Sequence, residues 1–185
     1  YFGQAYFVYD SKKSGSVTES HLRFGPKPIN STYLVQKADF IGCHQFPFLF
    51  KLDILGRIKN GGTLLLNTHF SKDEVWDQLP QAVQQIIVDK NVKLYVIDAY
   101  KVAEDTKMGT RINTIMQTCY FKLANVIPLE EALKEIKDAI VKTYSKKGQE
   151  IVDNNIKAVD ESLANLYEVN YPKTVTSKIA MEEKV

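Results

Sequence analysis

The chain has 185 residues, 44% of them hydrophobic and 25% charged, with a formal net charge of +2. That is enough for one domain with a core that needs no disulfide or metal staple. The near-balance of charge, with no arginine-rich patch among aromatics, excludes a nucleic-acid footprint, and no apolar run reaches membrane-spanning length.

The chain opens at Tyr1 without an initiator methionine or apolar leader. From Ala5 to Tyr9 an aromatic run reads as a strand with apolar residues on both faces, as in a central strand of a sheet. It delivers a polar loop of Asp10, Ser11, Lys12, Lys13, Ser14 and Gly15. Two lysines, two hydroxyls and a glycine that lets successive amides converge make this loop chemically suited to a phosphate-bearing ligand. The same composition suits a solvated turn, and the stretch alone leaves both readings open.

From Val17 to Phe24, Ser16-x-x-Glu19 has capping-box spacing, but Val17, Thr18, Leu22 and Phe24 favour extension, and we read a strand. Gly25-Pro26-Lys27-Pro28 breaks it. Tyr33 to Val35 reads as a short extended piece and Ala38 to Cys43 as a buried strand ending in Cys43-His44-Gln45. A helix carrying Phe46, Phe48, Leu49, Leu52 and Leu55 should follow and end near Gly56. Gly61-Gly62 reads as a turn into the strand from Thr63 to Leu66, which leads to Asn67-Thr68-His69, and Ser71-x-x-Glu74 opens a helix that Pro80 restarts. The run from Lys93 is a strand ending at Asp98.

This alternation of strand and helix predicts an α/β fold: a single three-layer domain, its mixed or mostly parallel sheet flanked by helices. Ligands are expected outside the strands' carboxyl ends, which makes residues 11–15, His44, Asn67 and Asp98 a candidate rim. Helices follow over Thr114 to Leu123 and from Leu129 along Leu133, Ile136 and Ile140. A last helix carries Val152, Ile156, Val159, Leu163 and Leu166, completing a C-terminal helical pair. The polar run of 171–185 reads as a linker beyond a domain of 1–170, so the chain is expected to be a piece of something longer.

His21, His44 and His69 are far apart in sequence and form no H-x-x-x-H or H-E-x-x-H motif, so no metal ligand is assigned. Cys43 and Cys119 form neither a C-x-x-C pair nor a disulfide framework, which fits a reducing cytoplasm, and they cannot anchor an iron–sulfur cluster alone. G-x-S-x-G, Walker and Rossmann signatures are missing too, and no catalytic residue is assigned.

Three early blocks, Tyr6 to Gly15, Ser20-His21-Leu22-Arg23-Phe24-Gly25-Pro26-Lys27-Pro28-Ile29 and Ala38-Asp39-Phe40-Ile41-Gly42-Cys43-His44-Gln45, resemble pyruvate:ferredoxin (flavodoxin) oxidoreductases. Asp73 to Asp77, Tyr95 to Ala103 and Gly109 to Thr118 continue the resemblance in the same order, over nearly everything from Gln4 to Val169. It implies a cytoplasmic, homodimeric parent that oxidatively decarboxylates pyruvate on thiamine diphosphate and magnesium. Electrons would pass through [4Fe-4S] clusters to ferredoxin or flavodoxin, and the product is acetyl-CoA. This chain resembles only the gamma, or third, domain, associated in the family with coenzyme A; the other cofactors would sit on the remaining domains, its expected partners. Lys12 and Lys13 are then expected to meet the coenzyme A phosphates, with Ser11 and Ser14 donating and Asp10 orienting a lysine or accepting from the ligand. Arg111 is a further phosphate candidate, and Asn113 and Asn155 are candidates for adenine, ribose or the pantetheine chain. The alternative is a non-catalytic interdomain docking domain. A free-standing enzyme would need a nucleophile and base that the sequence does not show.

Overall fold

The computed structural model describes residues 1–9 and 17–182. Of these, the residues up to Ala38 form one compact unit and those from Asp39 onward a second.

The first unit is a hairpin. Strand β1 (Phe2–Tyr9) pairs antiparallel with β2 (Thr18–Gly25), in a register that sets Ala5 opposite Leu22 and Tyr6 opposite His21. The extended alternative therefore prevails over the capping box at Ser16. One face is crossed by the irregular segment after Gly25, where Tyr6 Oη and Gln4 Nε2 both donate to Ser31 O at 2.7 and 2.9 Å. Arg23 donates to Tyr33 O at 2.6 Å, and the Val35 amide donates to His21 Nδ1 at 3.1 Å. Tyr33 to Val35 is thus a crossing loop rather than a strand. The other face carries Ala5, Phe7, Tyr9, Leu22 and Phe24, all exposed. The expectation of a central strand is corrected: β1 belongs to a two-stranded sheet, and apolar residues on both sides of a strand do not say what covers them.

The second unit is built on a four-stranded sheet in the order β3 (Ala38–Cys43), β4 (Ile58–Asn67), β5 (Lys93–Ile97), β6 (Tyr167–Glu168). β4 and β5 run parallel and β6 antiparallel to β5. Period-2 alternation divides the sheet's side chains between two cores. Leu64, Leu66, Leu94 and Val96 pack with α2 (Gln81–Asp89) and the 3-10 turn Val75–Gln78. Leu65 and Ile97 face the other way, onto α3 (Ala99–Asp105), α4 (Asn113–Ala124) and Ala158 of α6 (Gln149–Ala164). A mixed sheet between helical layers is the expected α/β architecture. The C-terminal pair is also present: α5 (Leu129–Tyr144) and α6 share a cluster of Ile136, Ile140, Val152 and Val159. On α6, Asn155, Ala158 and Ser162 are buried as well, small or compact residues that let neighbouring helices approach.

Three local expectations change. The helix after Cys43 is a single turn, α1 (Phe48–Lys51), because Leu52 turns extended at φ −125° and ψ 150°; Leu49 and Leu55 are buried, Leu55 from beyond the helix. Gly61-Gly62 lies inside β4, with Gly61 at φ +70°. A Cβ on Gly62 would lie 2.8 Å from Ile58 Cγ1, 3.0 Å from Lys59 O and 3.3 Å from Asp39 O, so any larger residue there would make its neighbours shift. Residues 171–182, expected as a linker, run along the second unit and bond to it: Gln81 N donates to Ile179 O and Glu182 N to Phe50 O, both at 2.8 Å.

Candidate functional site

Asn67 closes β4 and is 4% exposed. Its Nδ2 donates to His44 O just after β3 (3.1 Å), and its Oδ1 accepts from Ala99 N just after β5 (2.9 Å). One carboxamide therefore ties three strand ends together, with the Asp39–Lys59 ion pair (2.6 Å) joining the opposite ends of β3 and β4. Asp98 then caps α3, its Oδ1 accepting from Lys101 N at 3.0 Å. The capping acid creates a helix, over Ala99–Asp105, that the periodicity did not reveal.

Above these strand ends opens a cavity of about 530 Å³, with His44, Gln45, Asn67, Thr68, Asp98 and Tyr100 among its lining residues. His44, Asn67 and Asp98, the rim expected of the second unit, are thus brought together. Sequence reading missed Tyr100, whose Oη accepts from Gln45 Nε2 at 3.0 Å across 55 residues. An aromatic two residues after a strand-ending acid was its one available signal. Loss of water around the His44 ring lowers its pKa, so it is neutral at pH 7. Beside the cavity, Ser71 Oγ and Ser71 N donate to Glu74 Oε2 at 2.6 and 3.0 Å. These bonds, the hydroxyl's first, hold the Glu74 carboxyl below its usual range, with His69 adding a smaller electrostatic pull.

The remaining expected ligand residues are distributed differently. Asp10, Ser11, Lys12, Lys13 and Ser14 lie outside the described residues. Arg111 and Asn113 are exposed neighbours at the start of α4, and Arg111 Nε donates to Met108 O at 3.1 Å. Asn155 is 1% exposed; its Nδ2 donates to Ile151 O at 2.7 Å, while its buried Oδ1 has no partner among the described residues. Cys43 and Cys119 sit in different core clusters, and burial pushes their thiols up to about 11 and about 12. Two separated, protonated thiols do not fit the four-thiolate set of a [4Fe-4S] cluster. No helix among the described residues is long and apolar enough to cross a membrane.

Residues 1–164 match the family model described as pyruvate ferredoxin/flavodoxin oxidoreductase. The chain belongs to this family. It is 58% identical over 174 residues to a pyruvate-flavodoxin oxidoreductase of Rhodospirillum rubrum, covering 94% of this chain and 15% of that protein. The pyruvate:ferredoxin oxidoreductase of Moorella thermoacetica is 52% identical over 171 residues, which are 92% of this chain and 15% of that protein. The chain thus spans about 15% of the length of these curated relatives. Among solved structures, pyruvate oxidoreductase subunit PORC from Thermotoga maritima superposes with a TM-score of 0.66 at 20% identity, covering 91% of this chain and 82% of that one. A 2-oxoglutarate:ferredoxin oxidoreductase from Magnetococcus marinus, with 2-oxoglutarate, coenzyme A and succinyl-CoA bound, gives 0.58 at 15% identity, over 98% of this chain and 28% of that one. At these identities the two structures carry the fold.

Proposed function

We propose that residues 1–170 form the gamma-type domain of an oxidoreductase that converts pyruvate and coenzyme A to acetyl-CoA and CO2, passing two electrons to ferredoxin or flavodoxin. In this reading the domain binds coenzyme A. The observation that carries the proposal is the family match across residues 1–164, which includes the lysine loop; coenzyme A in the Magnetococcus marinus structure supports it. Lys12 and Lys13 meet the phosphates as point charges, Ser11 and Ser14 donate, and Asp10 orients a lysine or accepts from the ligand. Arg111, its Nε fixed by Met108 O, offers its terminal nitrogens to an anion, Asn113 contributes its exposed amide and Asn155 its unpartnered Oδ1. Thiamine diphosphate, magnesium and [4Fe-4S] clusters belong to the remaining domains of a cytoplasmic homodimer, in line with the misfit of the two thiols here.

Each charged hydrogen bond contributes about 1.5–3 kcal/mol. In the full-length enzyme, Lys12→Ala/Lys13→Ala should therefore raise KM for coenzyme A by about 100-fold or more while leaving carbon dioxide release in the absence of coenzyme A intact. An unchanged KM contradicts the assignment. A second reading, a non-catalytic interdomain docking domain, draws on the hairpin face, where Phe7 is 58% and Tyr9 70% exposed. It predicts loss of assembly rather than of coenzyme A affinity when that face is made polar.

A further inference from the structure

His21 stands on β2, 5% exposed, on the hairpin face that the segment after Gly25 crosses. Val35 N can only donate, so His21 Nδ1, 3.1 Å away, accepts, and the neutral ring carries its proton on Nε2. That proton is poorly placed. Nε2 has no hydrogen-bond partner among the described residues, although Glu19 Oε1 stands 3.1 Å from it, out of line for such a bond. A carboxylate at that distance attracts a charged ring whatever the angle, because Coulomb attraction has no preferred direction. The neutral ring therefore satisfies Nδ1 and leaves Nε2 unbonded. A protonated ring gains Glu19 and gives up Val35, since two N–H donors then face each other.

The other charge on this face of β2 is Arg23, whose guanidinium is engaged by Gln4 Oε1 at 3.2 Å and Tyr33 O at 2.6 Å. β1 sets the Tyr6 phenol, bonded to Ser31 O, opposite His21 and carries no charged side chain. Lys27 and Lys37 of the crossing segment are exposed. Of the side chains that hold this segment, only the imidazole is of a type whose charge ordinarily changes between pH 5 and 8.

We propose that His21 is a proton-operated latch: neutral, it holds Val35 against the hairpin; protonated, it pairs with Glu19 and releases Val35. The released stretch lies just before the boundary between the two units, at Ala38 and Asp39. With Tyr33 O still held by Arg23, freeing Leu34 and Val35 adds about 7 Å of reach to the tether that joins the units. The device acts on that connection and is independent of the ligand the domain takes.

The nitrogen-15-labelled chain is titrated from pH 8 to pH 5, following the His21 ring nitrogens and the Val35 amide, with hydrogen exchange corrected for the intrinsic effect of pH. At pH 8 the ring should carry its proton on Nε2. On acidification the Val35 amide should shift with the same midpoint as the ring and lose about fivefold in protection, as one hydrogen bond is broken. His21→Gln, whose carbonyl accepts at every pH, should show no such change. A neutral ring protonated on Nδ1, a ring still neutral at pH 5, or a Val35 amide that stays put while the ring titrates would each overturn the inference. All three are read on the parent chain, so a folding defect in the variant does not affect them.

Discussion

Cys119 is 0% exposed and Cys43 3%, and burial holds their thiols far above the ordinary 9.0. An acid whose folded pKa is raised keeps its proton after the unfolded chain has lost its own, so stability falls as pH rises above about 9. For Cys119 the loss continues to about 12, at ~1.4 kcal/mol per pH unit. Urea unfolding at pH 8 and pH 10 should show a shallower decline in Cys119→Ala than in the parent. Equal slopes would mean the thiol ionises in the folded core. The sequence marked both cysteines as unsuited to a cluster by number and spacing. What it could not supply was their placement in two separate cores, which depends on the helices that enclose them.

On α2, Gln84 is fully buried and does three things at once. Its Nε2 donates to Trp76 O at 2.7 Å, and its Oε1 accepts from the amides of Thr176 and Ser177, each at 2.9 Å. Trp76 Nε1 in turn donates to Thr176 Oγ1 at 3.0 Å, and its ring stacks on Tyr171 at 4.8 Å. Gln84→Leu keeps volume but strands a carbonyl and two amides in a buried place, at a cost of about 2–3 kcal/mol. The drop should appear in the urea midpoint, and easier proteolysis after residue 171 should accompany it. A midpoint within about 0.5 kcal/mol of the parent would show that the tail is not fastened through this residue.

Strands and long helices were legible because their periods are local. Ile136 with Ile140 declares its face within a few residues. The Gln84–Ser177 bond spans 93 residues, and the short β6 has no period to read. Both emerge only when the chain is folded. Likewise His44, Asn67 and Asp98 were visible as polar residues after apolar runs, whereas the Gln45–Tyr100 bond was not.

At the scale of the molecule, the chain matches about 15% of the length of its curated relatives. It has a cavity at its strand ends, exposed aromatics on a hairpin, and Lys12 and Lys13 within the family-matched region. On the proposed reading, its contribution to pyruvate oxidation is to hold coenzyme A. Isothermal titration of coenzyme A and of dephospho-coenzyme A into this chain and its Lys12→Ala/Lys13→Ala variant, at low salt, tests that claim directly. The account predicts saturable binding of coenzyme A that weakens when the 3′-phosphate is missing and weakens again, by about 100-fold, when the lysines are gone. Coenzyme A binding that is indifferent to both changes, or no binding by the folded parent chain, would contradict it.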